Sequence, residues 1–269
     1  MYRGKTISVV MPAYNEADGI ARVIADFRRL PEVDNIIIVD NASTDDTARI
    51  ARQAGARVVH ESKKGYGNAS KTALLSATTD YVVITESDGT FRAADLYKFL
   101  TYASEFDVVF GTRTSKTCIW SGANMGWFLR YGNWAVAKLL EYLHNGPCLT
   151  DVGCTYKLLR RESMQEMADH LTVGGSHFSP ELMLHAIRSG LRCVEIPVHY
   201  RPRIGASKIT GDFYRAFRLG LTMIGLIIVA RLRSYARIES AVASELLEEI
   251  EGAVSVVGSR EKSASASAR

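Results

Sequence analysis

The sequence contains few cysteines, and their spacing excludes the usual cysteine-based frameworks. Four cysteines occur among 269 residues, and they form no C-x-x-C pair and no zinc-finger spacing. Scattered cysteines of this kind are typical of reduced, structural thiols in the cytosol. We therefore expect a cytoplasmic protein.

Long apolar runs are also absent. No apolar run reaches the roughly 18 residues that a membrane-spanning helix requires, and the first residues lead directly into a strand pattern rather than a signal peptide. We therefore expect neither a membrane-spanning helix nor a signal peptide. A hydrophobic content of 47% and a charged content of 23% are typical of a globular protein. The length allows one large α/β domain or two small ones.

Two glycine-rich nucleotide motifs are missing as well. A dinucleotide oxidoreductase would carry G-x-G-x-x-G after its first strand. A sugar-phosphate nucleotidyltransferase would be expected to carry G-x-G-T-R at the same place. The predicted first strand, residues 6–11, is followed instead by Pro-Ala-Tyr-Asn-Glu. Both enzyme classes are therefore disfavoured.

Strand and helix patterns alternate through the first 115 residues. Apolar, β-branched runs predict strands at 6–11, 35–39, 56–60, 81–84 and 107–111, with helical patterns between them. This alternation predicts an α/β fold with a mostly parallel sheet and helices on both faces. Two later strands are predicted at 151–159 and 193–198. Because no linker or repeat interrupts the chain, we expect one domain over residues 1–210.

Two carboxylates follow the predicted fourth strand. Glu86 and Asp88 are two residues apart, so in an extended chain their side chains point the same way. The carboxyl ends of strands are where open α/β sheets bind ligands, and paired carboxylates suit Mg²⁺ or Mn²⁺ that also holds a phosphate. Taken alone, the pair is equally consistent with a solvated acidic turn.

Other polar turns follow the neighbouring strands. The turn 12–16 supplies an aromatic ring and a carboxylate, Asp40 ends the second strand, and residues 63–68 form a basic, glycine-rich turn. Each has an ordinary interpretation as a strand-terminal turn or a helix cap. Together, at one edge of one sheet, they indicate a nucleoside-diphosphate ligand.

These motifs carry a resemblance to a known family. Segments 8–16, 38–45 and 86–88 resemble the family-2 glycosyltransferases, whose glycosyltransferase A fold is one α/β domain that binds a nucleotide sugar. Segment 151–157 and the basic loop 203–208 resemble the dolichyl- or polyprenyl-phosphate sugar synthase branch, which includes the dolichol-phosphate mannosyltransferases. The resemblance covers residues 6 to about 210.

The resemblance implies roles for particular residues. Those expected to bind the nucleotide sugar are Pro12, Ala13, Tyr14, Glu16, Asp40, Asn41, Lys64 and Ser87. Asp88 would be the main metal ligand, with Glu86 and Thr90 beside it. Most members carry Asp where this chain has Glu86, and the mannose branch often carries Gln where it has Thr90. Whether Glu86 reaches the metal directly or through water stays open.

The implied reaction is a single inverting displacement at the anomeric carbon of a hexose donor, a UDP- or GDP-sugar. Arg113, Arg203 and Lys208 are the candidates to bind the acceptor phosphate or the leaving diphosphate. Asp151 is a candidate to position the acceptor. Glu181 stands where relatives acting on sugar hydroxyls carry a base, but a first-turn helix acid is an equally good interpretation.

A basic segment follows the last predicted strand. Residues 201–237 carry eight arginines and lysines against one acid. The uncharged run 219–230 would be roughly 18 Å long as a helix, against a hydrocarbon core of ~30 Å. We expect an amphipathic helix over 211–237 at the membrane interface, although burial against the domain or a dimer partner would also explain it. Residues 238–269 are expected to form a short helix and a disordered tail.

The expected partners follow from this interpretation: a nucleotide-sugar donor, a polyprenyl or dolichyl phosphate acceptor and the cytoplasmic face of a membrane, with no nucleic acid. The metal cofactor would be Mg²⁺ or Mn²⁺. The alternative is a soluble family-2 enzyme that glycosylates a sugar or a small hydroxyl acceptor. Homo-oligomerisation is left open.

Overall fold

A seven-stranded sheet organises the chain, in the order β3-β2-β1-β4-β6-β5-β7. A computed structural model describes residues 1–204 and 214–234. The predictions for Lys208, for the ends of the 211–237 helix and for segment 238–269 lie outside the described residues. The strands are β1 Ile7–Ala13, β2 Asn35–Asp40, β3 Arg57–His60, β4 Tyr81–Ile84, β5 Val108–Thr112, β6 Lys157–Arg160 and β7 Cys193–Pro197.

All neighbouring strands pair in parallel except β6, which is antiparallel to both β4 and β5. The predicted mostly parallel sheet is therefore confirmed. The chain runs outward from β1 through β2 to β3, and then returns to place β4 on the other side of β1. This reversal creates a crevice at the carboxyl ends of β1 and β4, where α/β sheets bind ligands.

Helices follow most of the strands. They are α1 Ile20–Arg28, α2 Thr47–Gln53, α3 Tyr66–Leu75, α4 Leu96–Tyr102, α5 Trp127–His144, α6 Arg161–Ala168, α7 Phe178–Arg188 and α8, residues 214–234. Helix α1 shows why they form: its large apolar residues Ile20, Val23, Ile24 and Phe27 lie on one face at helical spacing and are buried in the core. No helix within the described ranges combines the length and apolar character that crossing a membrane would need.

The predicted strand over 151–159 is shorter than expected. Pairing begins only at Lys157, and residues 151–156 form a loop. The backbone N–H of Gly153 donates to Asp151 Oδ1 at 3.0 Å. Such a local bond from an Asp side chain is typical of a turn and is an alternative to sheet pairing.

The core that supports the crevice is apolar and aromatic. Val9, Met11 and Val83 are completely buried in β1 and β4. Tyr156 packs beside them, with its ring centroid 4.5 Å from that of Phe99. This packing fixes the two strand ends. Residues 1–227, which include α5 and the first part of α8, form one compact unit.

Candidate active site

A cleft of about 730 Å³ lies at the carboxyl ends of β1 and β4. One end is polar and is formed by the turns after these strands, with Arg113, Thr155, Tyr200, Arg201 and Arg203. The other end is an apolar groove between α5 and α8. The groove residues are Met125, Phe128, Leu129, Gly132, Ala135, Val136, Ala216, Phe217, Leu219, Gly220, Leu221, Met223 and Ile224.

The two carboxylates after β4 converge on one hydroxyl group. Thr90 Oγ1 lies 2.6 Å from Asp88 Oδ1 and 3.3 Å from Glu86 Oε2. The Thr90 N–H also donates to Asp88 Oδ1 at 3.0 Å, and the Thr155 hydroxyl donates to Glu86 Oε1 at 3.1 Å. The turn therefore holds both carboxylates together rather than leaving them as a solvated acidic turn.

The electrostatics of this pair fit a divalent cation. Burial, together with the charge of Asp88, raises the pKa of Glu86 to about 8, although Arg113 acts in the opposite direction. A cation between the carboxylates would relieve that repulsion. Within the described residues, no group of three or more His, Cys, Asp or Glu side chains gathers as a ligand cluster. Mg²⁺ commonly takes only one or two carboxylates and completes its shell with phosphate and water, so this oxygen-only pair fits it.

The guanidinium group of Arg203 lies beside Asp88. The Arg203 guanidinium bonds to the Glu16 carboxylate and lies 3.2 Å from Asp88 Oδ2. The N–H of Ile204 donates to the Asp88 carbonyl at 3.0 Å. Segment 200–204 is thus bound directly to the carboxylate turn, and the Arg203 guanidinium lies between the carboxylates of Glu16 and Asp88.

A second arginine is held by a buried ion pair. Arg113 Nε and Nη2 lie 2.9 and 3.0 Å from the two oxygens of Asp151, which also accepts the Arg113 backbone N–H. Burial would raise the pKa of Asp151, but the Arg113 charge and hydrogen bonds outweigh it, so this pKa lies below its ordinary value. The guanidinium also lies 5.2 Å from the Tyr200 ring centroid. Arg113 is therefore charged and fixed in the cleft wall.

The turn after β1 is tied to the turn after β2. Asn15 adopts a positive φ of 54°, and its side-chain oxygen accepts the Thr44 N–H at 2.8 Å. The Glu16 N–H donates to the Thr47 hydroxyl at 2.8 Å. Lys64 places its ammonium 5.8 Å from the Tyr14 ring centroid. An aromatic face, a carboxylate and a cation therefore border the same end of the cleft.

The family follows from a direct match. A family model described as Glycosyl transferase family 2 matches residues 8–168, which is more than half of the chain. The chain belongs to this family. It is a glycosyltransferase, and the predicted family is confirmed.

Similar proteins agree with this assignment. The glycosyltransferase is 31% identical over 233 residues to a dolichyl-phosphate hexose transferase of Haloferax volcanii, covering 86% of this chain and 98% of the relative. It is 33% identical over 211 residues to an uncharacterised glycosyltransferase of Mycobacterium tuberculosis, covering 78% and 92%. The first of these relatives supports the predicted resemblance to the dolichyl- and polyprenyl-phosphate branch.

A solved structure confirms the glycosyltransferase A type of fold. Glucosyl-3-phosphoglycerate synthase of Mycobacterium tuberculosis, determined with Mn²⁺, UDP-glucose and phosphoglyceric acid, matches with a TM-score of 0.64 at 23% identity. The match covers 85% of this chain and 80% of the synthase. At this identity the likeness establishes the fold alone.

Most of the residues predicted for the site of this glycosyltransferase line the cleft. They are Pro12, Ala13, Tyr14, Glu16, Asn41, Lys64, Glu86, Ser87, Asp88, Thr90, Arg113 and Arg203. Asn41 also has a structural part, because its amide bonds the carbonyls of Glu61 and Lys63 and the N–H of Gly65.

Two predicted residues lie behind the cleft wall. Asp40 is buried and contacts His60 Nδ1 at 3.3 Å and the Ser43 N–H at 3.4 Å, so its contact with the nucleotide sugar stays a prediction. Asp151, predicted to position the acceptor, is fully buried and instead positions Arg113.

Glu181 also lies away from the cleft, in the first turn of α7. Its carboxylate accepts the Thr172 N–H at 2.8 Å, the Thr172 hydroxyl at 2.9 Å and the Val173 N–H at 3.0 Å. The adjoining Gly174 carbonyl accepts the Gly67 N–H at the start of α3 at 2.9 Å. This geometry favours the interpretation of Glu181 as a helix acid that supports α3.

Glu181→Gln is expected to lower the free energy of unfolding by about 1–3 kcal/mol, because one buried acceptor is replaced by an amide donor. A catalytic base would lose about 10²- to 10⁴-fold in rate instead. Urea denaturation and transfer rates measured on the same preparation separate the two roles. Glu166→Gln, an exposed acid on α6, is the matched control. A large rate loss at unchanged stability would contradict the structural role.

The sequence interpretation missed several cleft residues. Tyr66, Thr155, Tyr200 and Arg201 all line the polar end. Thr155 lies inside a motif that the resemblance used, so its position after Asp151 was a usable signal. The apolar groove had no such signal, because its two walls are far apart in the sequence.

Proposed function

We propose that this glycosyltransferase transfers a hexose from a UDP- or GDP-sugar to a polyprenyl or dolichyl phosphate at the cytoplasmic face of a membrane, with Mg²⁺ or Mn²⁺ as cofactor. The observation that carries this proposal is the two-ended cleft. A polar end with carboxylates and guanidinium groups suits a diphosphate and a phosphate, and an apolar groove suits a hydrocarbon chain. An acceptor that is both anionic and apolar fits the two ends together.

The proposed hexose transfer requires no strong general base from the protein. A phosphate oxygen of the acceptor attacks the anomeric carbon from the face opposite the diphosphate. The new C–O bond forms as the bond to the diphosphate breaks, and the electron pair leaves with the nucleoside diphosphate. The acceptor oxygen is already anionic at neutral pH, so no strong base is required. This agrees with the position of Glu181 outside the cleft.

The residues of the polar end supply charge and orientation. Asp88, Glu86 and Thr90 would hold the metal ion, which supplies positive charge to the departing diphosphate. Arg203 would contact the same diphosphate, since it already lies beside Asp88. Arg113 adds a second fixed positive charge, and its buried pair with Asp151 keeps it from moving as the reaction proceeds.

Exposed aromatic residues support contact with a bilayer. On α5, Trp127, Tyr131 and Trp134 recur at helical spacing and are exposed, Trp127 by 75%. On α8, the groove residues Phe217 and Leu221 are about half exposed. Aromatic rings with polar edges are enriched at membrane interfaces, and such a surface would bring the groove to the lipid.

The proposal is tested by incubating the protein with radiolabelled nucleotide sugars, Mn²⁺ or Mg²⁺, and polyprenyl phosphate in liposomes. Lipid-extractable label from one donor, lost on chelation of the metal, is the expected result. Liposome flotation is measured in parallel. A protein that does not float with liposomes, and that transfers label only to a soluble sugar, would contradict the lipid acceptor and favour a soluble family-2 enzyme.

Gly220→Leu is expected to block the groove and raise KM for a long-chain polyprenyl phosphate by about tenfold, since a leucine side chain would occupy space meant for a few methylene groups. A Cβ at Gly220 meets no atom within 4 Å, so the fold should tolerate the change. Binding of the nucleoside diphosphate should not change.

Gly225→Leu is the matched control for this variant. It lies on the same helix, its added Cβ also meets no atom within 4 Å, and it does not line the cleft. Both variants gain similar helix propensity. Equal effects on KM in the two variants would argue against a lipid chain in the groove.

A further inference from the structure

Three of the described arginines line the cleft, and they differ in how their charge is balanced. Arg113 is paired with Asp151, and Arg203 is paired with Glu16 and Asp88. The Arg201 guanidinium makes neither an ion pair nor a hydrogen bond with any residue that the structure describes, and its Nε is buried without a partner. Among the residues that the structure describes, no carboxylate therefore balances the positive charge that Arg201 brings to the cleft.

The unbalanced guanidinium is nevertheless held in place. Its central carbon lies 4.8 Å from the centroid of the Trp120 ring. Its backbone N–H donates to the Thr90 carbonyl at 2.8 Å, and the following Pro202 restricts its backbone to extended conformations. Stacking on an aromatic face fixes the plane of a guanidinium and leaves its N–H edge free to bind an anion.

Arg201 also connects the two ends of the cleft. Through Thr90 it is bonded to the turn that holds Asp88. Through Trp120 it contacts the segment that continues into Met125 and the start of α5, which form the groove wall. An anion bound here would stand between the carboxylate turn and the apolar groove.

We infer that Arg201, stacked on Trp120, binds the phosphate group of the lipid acceptor. The inference rests on the proposed function and adds a residue to it. A guanidinium edge matches two phosphate oxygens at once, and Arg201, which pairs with no carboxylate of residues 1–204 and 214–234, gives up no pair with them when the phosphate arrives. The guanidinium groups of Arg113 and Arg203 already pair with carboxylates, so the acceptor phosphate would have to share them with those carboxylates.

The donor diphosphate would satisfy the same chemistry, so the experiment measures the two ligands separately. Arg201→Gln is expected to raise KM for farnesyl phosphate by about 10- to 100-fold, as for the loss of a charged hydrogen-bonded pair. The dissociation constants of UDP and GDP, measured with Mn²⁺, should change by less than about twofold. Binding of farnesol, which lacks the phosphate, should not change.

Two further variants test the geometry. Arg201→Lys keeps the charge but loses the planar fork, so an increase in KM of about three- to tenfold is expected. Trp120→Ala should also raise KM for farnesyl phosphate, but by less, because it removes only the ring on which the Arg201 guanidinium stacks. Arg22→Gln removes one exposed charge on α1 and should match the wild type. Thermal unfolding of each variant verifies that the fold is retained.

The outcomes are distinct. A wild-type protein that transfers to farnesyl phosphate, with Arg201→Gln and Arg201→Lys keeping its KM, would overturn this inference and leave the proposed function intact. A weaker affinity for UDP or GDP at unchanged KM would assign Arg201 to the donor and also overturn it. A wild-type protein that neither binds farnesyl phosphate nor transfers to it would overturn both.

Discussion

Asp88→Asn is expected to reduce transfer by at least about 10³-fold while leaving the fold intact. The substitution removes one of the two carboxylate charges that would hold the metal, and charge stabilisation of the leaving diphosphate depends on that metal. The asparagine still offers an oxygen to the Thr90 hydroxyl and N–H, which now bond to Asp88 at 2.6 and 3.0 Å. The thermal midpoint should therefore change little.

Metal binding gives a second measurement for this variant. Titration with Mn²⁺, followed by electron paramagnetic resonance, should detect weaker binding in Asp88→Asn than in the wild type, with or without nucleotide. Asp169→Asn removes an exposed carboxylate at the end of α6 and is the matched control. Near-normal transfer and Mn²⁺ affinity in Asp88→Asn would refute a metal site at this turn.

Asp151→Ala is expected to lower the free energy of unfolding by about 3–5 kcal/mol, since it leaves the Arg113 charge buried without a partner. Asp151 is fully buried, and Arg113 is only 9% exposed. The change also removes the acceptor for the backbone N–H groups of Arg113 and Gly153. Urea denaturation followed by circular dichroism measures the loss.

A double variant tests whether the loss of stability comes from the unpaired Arg113 charge. Arg113→Met combined with Asp151→Leu removes both charges and should recover a large part of the stability, because no unpaired charge remains. Its transfer rate should stay well below that of the wild type, because the fixed positive charge of Arg113 is lost. Asp26→Ala, which breaks the surface pair with Arg29 at 3.0 Å, should cost only about 0–1 kcal/mol. Similar losses in Asp26→Ala and Asp151→Ala would contradict the account of a buried pair.

Much of the fold was predictable because its central strands are unambiguous. The runs that form β1, β2 and β4 are rich in Val and Ile, which is the composition typical of parallel strands buried on both faces. The shortened strand β6 was not predicted, since the Asp151 side chain competes with the ladder through a local hydrogen bond. The antiparallel insertion of β6 between β4 and β5 depends on long-range pairing, which a local pattern does not encode.

The polar half of the site was predictable for the same topological reason. Parallel strands bring their carboxyl ends to one edge, so the turn 12–16 and the pair Glu86 and Asp88 had to be neighbours. Side-chain direction was harder to predict. Asp151 and Glu181 have the residue type of catalytic acids, but backbone N–H groups and Arg113 occupy their oxygens.

The sequence by itself determined the mostly parallel character of the sheet, the polar turns that follow its strands and the family, because each depends on short motifs and on the period of the apolar residues. Only the tertiary structure decided which carboxylates face the cleft, how each arginine is balanced, and that α5 and α8 form an apolar groove beside the carboxylate turn. Those features join segments that are distant in the chain. Their contacts arise from packing, so no local stretch of sequence specifies them.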